Sequence, residues 1–263
     1  MKILSYALFR TRNAPNRTQF FTARLPAVLR AAFALFPEWR VVIHHDKSIE
    51  GEPYHKALLR LNEAGKIWLV SNGESPRMAE GMLWRLLPLF WPEAEYVLPR
   101  DLDSMATPRE RWTVEAFMRS GRAMHIINDS SSHQPPNGPP YMLGGMVGFN
   151  ARSFLAMAHI RSWEEIVRWG EGHGCNLDGY GGDQDIMNRM FHPLIQGDYY
   201  RPLFVDGKSV IDPEPVTTTI EPEVLLEGWR FSEFIGHVFS DVEGACRFYD
   251  RFATSKPIIE AEK

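Results

Sequence analysis

The sequence predicts a single α/β domain built on a mostly parallel sheet with helices on both faces. Apolar strand-like runs alternate with helical patterns through the first half of the chain. The strand runs are short and apolar, as strands covered on both faces require. With 44% hydrophobic and 24% charged residues among 263, the chain has core material for one large domain without staples.

The elements follow in order. "KILSYALF" (2–9) reads as a buried strand, and the loop "RTRNAPN" leads to a helix over 17–37 whose apolar residues keep helical spacing despite Pro26. "WRVVIHHD" (39–46) is the next strand, 53–65 the next helix with Pro at its start and Gly at its stop, and "KIWLVSN" (66–72) the next strand. "RMAEGMLWRLLPLFW" (77–91) predicts an amphipathic helix kinked or ended near Pro88, and it feeds the strand "AEYVLPRDLDS". A helix over 107–121 and a strand over 123–129 continue the alternation. The Pro- and Gly-rich stretch 130–140 has no periodicity, and a loop that long in a compact domain is functional or mobile. "YMLGGMVGFN" (141–150) returns as a strand, 151–172 is helical, and "YGGDQDIMNRMF" (180–191) is a turn entering a helix. Beyond it the sequence is irregular, with "YYRPLFV" and "FIGHVF" as short strand candidates. No repeat or linker divides the chain.

A net charge of −4 leaves no electrostatic footprint for nucleic acid, although a few arginines suffice to hold an anionic small ligand. Cys175 and Cys246 lie far apart and form no metal-type spacing, which suits a reduced cytoplasmic setting. The first residues are interrupted too early by Arg10 and Arg12 for a signal peptide, and no run of about 20 apolar residues predicts a membrane helix.

The chemistry concentrates at "YVLPRDLDS" (96–104), where a strand ends in two carboxylates separated by one leucine. In an extended segment residues i and i+2 point to one side, so Asp101 and Asp103 form an oxygen pair for a hard cation, or else a capped loop. Pro99 cannot donate to a sheet and marks where the strand leaves the ladder. In an open parallel sheet this is the edge where ligands bind, and a divalent cation there would neutralise a departing diphosphate.

The stretch "MLWRLLPLFWPEAEYVLPRDLDSMATPRERWTVEAFMRSGRAMHIINDSSSHQPP…YMLGGMVGFNARSF" resembles the nucleotide-sugar-dependent glycosyltransferases of GT-A type, in particular bacterial ones. Weaker echoes lie in "YGGDQDIMNRM" and "GHVF". The resemblance implies one Rossmann-like GT-A domain on a mixed, mostly parallel sheet with helices on both faces, with a nucleotide-binding half (1–105), an acceptor-side half (106–250) and a tail (251–263). It implies a hexosyltransferase using Mn²⁺ or Mg²⁺ and a nucleoside diphosphate sugar, a UDP-sugar foremost, with a glycan or lipid-linked acceptor. Asp101 and Asp103 would bind the metal, the donor diphosphate and the ribose, and His237 would complete the metal site. Arg85 is a solvated helix arginine or a donor-phosphate contact. Arg100 accompanies the pair, and Arg10 and Arg12 follow the first strand where a nucleotide enters. Tyr6 is core or stacks on the base. Gly144 and Gly145 form a bulge or let a sugar approach the backbone. Asp183 caps a helix, or it or Asp185 is the base or transition-state stabiliser. His133 is placed near the acceptor. The chain departs from the family pattern at Asn128, at Val147 and in "DSSSHQPP", which bears on sugar and acceptor specificity.

Two other functions fit an α/β fold of this kind. A nucleotidyltransferase would carry a Gly-rich basic loop after the first strand, where this chain has "RTRNAPN". A non-catalytic nucleotide-sugar-binding protein would bind without turnover.

Overall fold

The structure, a computed structural model, describes residues 1–10, 24–74, 77–107, 110–128 and 141–201 and the backbone of 15–23, 108–109, 204–205 and 208–209. Among the described residues, seven strands form one mixed sheet in the order β3-β2-β1-β4-β6-β5-β7. They are β1 (Lys2–Leu8), β2 (Arg40–His45), β3 (Ile67–Ser71), β4 (Tyr96–Pro99), β5 (Met124–Ile126), β6 (Val147–Asn150) and β7 (Tyr199–Tyr200). The first four are parallel neighbours, while β6 runs antiparallel between β4 and β5. A further pair, β8 (Phe204–Val205) and β9 (Lys208–Ser209), forms its own antiparallel ribbon.

Strand alternation distributes the core to both faces. Ile3, Val42 and Val97 look one way, with Leu83, Phe154, Ile166 and Ile186. These come from α3 (Met78–Leu83), α5 (Ala151–Ala158), α6 (Trp163–Gly172) and α7 (Gly182–Ile186). Leu4, Tyr6, Leu8, Val41, Ile43 and Leu98 look the other way. There they meet Val28 of α1 (Pro15–Leu35), Leu58 of α2 (Pro53–Glu63) and Val114 of α4 (Pro108–Ser120). Helices therefore cover both faces, as the sequence predicts.

Four segments differ from their sequence-based expectation. The helix expected over 77–91 is α3 followed by a 3-10 helix, Trp84–Phe90. The change starts four residues before Pro88, whose ring conflicts with the carbonyl at that spacing. The expected helix over 151–172 is broken into α5 and α6 by His159, which takes a left-handed φ of 55°. The strand expected over 141–150 is regular only from Val147, because Gly144 and Gly145 lie in a turn. After α7 the helix widens into a π turn, Met187–Phe191, before α8 (His192–Ile195). Pro193 in that next turn supplies no N–H for the α ladder.

Phe149, Phe154 and Phe191 tie β6, α5 and the π turn together, with ring centroids 4.8 Å and 5.0 Å apart for the first and second pairs. Each such edge-on pair contributes roughly 1 kcal/mol beyond its buried area. This fixes the helix carrying Asp183 against the strand that follows Gly145.

Candidate active site

The strand order reverses between β1 and β4: β2 and β3 lie on one side of β1, and the chain then crosses to β4 on the other. A parallel sheet with such a switch point opens a crevice at the carboxyl ends of those two strands. An open cleft lies there. Its walls include Ala7 near the end of β1 and Phe9 just after it, Arg100, Asp101 and Leu102 after β4, and Arg85 from the 3-10 helix.

Arg85 organises the cleft. Its side chain is 3% exposed, and all three nitrogens donate: Nε to Met82 O at 2.9 Å, Nη2 to Asp183 Oδ2 at 2.8 Å, and Nη1 to Asp101 Oδ1. Burial opposes its charge, but Asp101 and then Asp183 hold its pKa above the ordinary arginine value. Asp183 is buried to a similar degree and its pKa is pushed up, by burial first, against the pull of Arg85 and with the help of Asp101's charge. An isolated ion pair would push a carboxyl down; here two carboxylates share one guanidinium.

Asp103 adds a third acid. Its pKa is raised to about 6 by burial and then by the neighbouring Asp101, with Arg24 and Arg85 countering. A site with this surplus of carboxylate oxygen suits a hard divalent cation, which would relieve the repulsion. Asp101 and Asp103 are the residues that fit it. Among the described residues, no group of three or more His, Cys, Asp and Glu is assembled to hold a metal. His237 lies outside the described residues, as do Arg12 and His133.

Gly144 and Gly145 roof this charge cluster. A Cβ on Gly144 would stand 2.6 Å from both Arg85 Nη2 and Asp183 Oδ2, and one on Gly145 would collide with the Asp101 carboxylate. Their sequence signal reflects close approach of the backbone to the acids and arginine of the protein itself. Asn188, which sequence reasoning passed over, clamps the same segment. It accepts from Met142 N at 2.8 Å and donates to Met142 O at 2.9 Å. Nothing local marks it; the contact joins residues 46 apart.

Of the other expected residues, Asp185 turns away from the cluster and pairs with Arg189 at 3.1 Å on the outer side of its helix. Asp183 is thus the acid that the fold brings to Arg85. Tyr6 is 1% exposed in the core of the opposite face, its hydroxyl pushed up by burial and then by Glu110. Arg10 pairs with Glu52.

Arg100 is buried beside the cleft and serves as a cross-strut. Nε donates to Glu110, and Nη1 donates to Pro99 O and Val147 O, both at 2.6 Å. Thr107 caps α4 by accepting from Glu110 N at 3.1 Å, while the Glu110 side chain goes to Arg100.

No protein family matches the chain, and no curated protein is similar to it in sequence. Some solved structures match it at low identity. The galactosyltransferase LgtC with donor and acceptor sugar analogs is 16% identical, at a TM-score of 0.48 over 77% of this chain and 73% of that one. A TarS fragment of S. aureus is 13% identical, at a TM-score of 0.42 over 73% of this chain; the match spans 55% of the fragment. A putative glucose-1-phosphate thymidylyltransferase of Bacillus anthracis is 12% identical, at a TM-score of 0.48 over 78% of this chain and 87% of that one. No helix among the described residues is long and apolar enough to cross a membrane.

Proposed function

We propose that the protein is a metal-dependent glycosyltransferase that moves a sugar from a nucleoside diphosphate sugar, with a UDP-sugar favoured, to a glycan or lipid-linked acceptor. The observation that carries this reading is the cluster of Asp101 and Asp183 on Arg85, with Asp103 beside it, at the cleft past the carboxyl end of β4 that Arg85 and Asp101 line. Asp101 and Asp103 would hold Mn²⁺ or Mg²⁺, which when bound neutralises the diphosphate as it leaves. Arg85, anchored by Asp183 and Met82 O, offers a fixed cation to the phosphates. Asp183 orients that guanidinium from its buried side. Phe9, Met78, Met82 and Leu102 give the cleft an apolar wall for the donor to pack against.

The test is release of nucleoside diphosphate from a panel of nucleotide sugars with Mn²⁺, with and without EDTA. Chelator-sensitive release from at least one donor is the expected result. Absence of both binding and release for every donor would refute the reading.

A further inference from the structure

Three edges of the Arg85 guanidinium are held unequally. The Nε edge is pinned to Met82 O, and the Nη2 edge meets Asp183 beneath Gly144, where there is no room for even a methyl group. The Asp183 side chain is 4% exposed, so this pair is closed off from water. The Nη1 edge is different. Its partner Asp101 lines the cleft and has a side chain 36% exposed. A carboxylate at that exposure loses a guanidinium at far lower cost than a buried one does.

We propose that Asp101 is a placeholder on Arg85. When a divalent cation binds Asp101 and Asp103, Asp101 gives up the Nη1 donor, and a phosphate oxygen of the ligand takes it. This rests on the cation reading given under the proposed function and adds how the two ligands enter. One internal ion pair is exchanged for two, Asp101 with the cation and Arg85 with the phosphate, so no charge is left bare in the cleft. Cation and phosphate then favour each other reciprocally, because each needs the partner that the other releases. Asp183 and Met82 O keep the guanidinium in place throughout, which makes the exchange a movement of Asp101 alone.

Arg85→Lys separates the two edges. An ammonium lacks the planar fork and holds one carboxylate well; it stays with buried Asp183, where desertion costs most. Free Mn²⁺ measured by electron paramagnetic resonance, without any nucleotide, should show Arg85→Lys binding Mn²⁺ about tenfold more tightly than wild type. UDP should no longer improve that affinity in the variant. Asp101→Asn should lose Mn²⁺ binding in either background. If Asp101→Asn weakens Mn²⁺ while Arg85→Lys binds it no better than wild type, the exchange is wrong and the cation site stands. If Asp101→Asn binds Mn²⁺ as wild type does, the cation reading fails and the exchange with it. A crystal structure of the wild-type protein with Mn²⁺ and UDP gives a check that needs no variant. Arg85 is expected to keep Asp183 and lose Asp101; an intact contact between Arg85 and Asp101 beside the bound ion would overturn the proposal.

Discussion

Arg85 and Arg100 are two buried guanidiniums at the same edge of the sheet, and they are used in opposite ways. Arg100 has one acid, Glu110, buried as deeply as itself, and two carbonyls from neighbouring strands. Its charge is balanced one to one, and its bonds continue the sheet where the β4–β6 ladder, paired only at Tyr96–Asn150 and Val97–Phe149, has run out. Arg85 is shared by two acids with a third nearby, one of them partly in water. A balanced, closed pair holds the frame, whereas an oversubscribed and half-open one has partners to give away. Burial of an arginine is by itself no sign of either role.

The largest effect should come from the frame. Glu110→Ala strands a buried guanidinium and should cost about 3–5 kcal/mol in denaturant unfolding. Asp101→Asn should cost less than about 1 kcal/mol, because its carboxylate is partly solvated and Arg85 keeps Asp183. Equal losses for the two variants would break the distinction between the pairs.

Asp183→Asn should fall between them, at about 1–2 kcal/mol, since the amide oxygen still accepts and Asp101 still pairs with Arg85. A loss as large as that of Glu110→Ala would show Asp183 to be a frame residue as well.

The frame also holds a histidine. His125 is fully buried, stacked on Phe117 at 5.1 Å, with neither ring nitrogen hydrogen-bonded among the described residues. Its pKa lies well below the usual 6.5, through burial first and then the charge of Arg100. The unfolded chain therefore takes up this proton before the folded one does, so stability present above pH 6.5 is lost as the pH falls below it. His125→Phe should flatten that acid dependence in thermal melts and gain about 1 kcal/mol at neutral pH by removing unpaired polar atoms. An unchanged acid slope would remove His125 from the account.

The smallest effect on stability belongs to Asp103→Asn, which should be neutral or stabilising by up to about 1 kcal/mol near pH 7, because a carboxyl raised to about 6 is ionised there at a cost. A marked drop in melting temperature would contradict the repulsion between Asp101 and Asp103.

Local patterns carried the first half of this molecule. The strand and helix alternation up to Pro99 is written in contiguous residues, and so is the carboxylate pair at the end of β4. Which strand of the mixed sheet runs antiparallel was not legible, because a strand pairs with the same alternation in either direction. Arg85 and Asp183 meet across 98 residues, so neither the pair nor the preference for Asp183 over Asp185 could be read from spacing. Gly144 and Gly145 were visible as glycines, but what passes beneath them was set by tertiary packing.

The division between frame and reactive cleft is tested most directly by calorimetric titration of UDP in the presence of Mn²⁺ for wild type, Asp101→Asn and Glu110→Gln, each below its own melting temperature. Asp101→Asn is expected to keep the wild-type melting temperature and lose binding, and Glu110→Gln to melt lower and keep binding within a few-fold. Wild-type binding by Asp101→Asn, together with lost binding in a folded Glu110→Gln, would contradict the account.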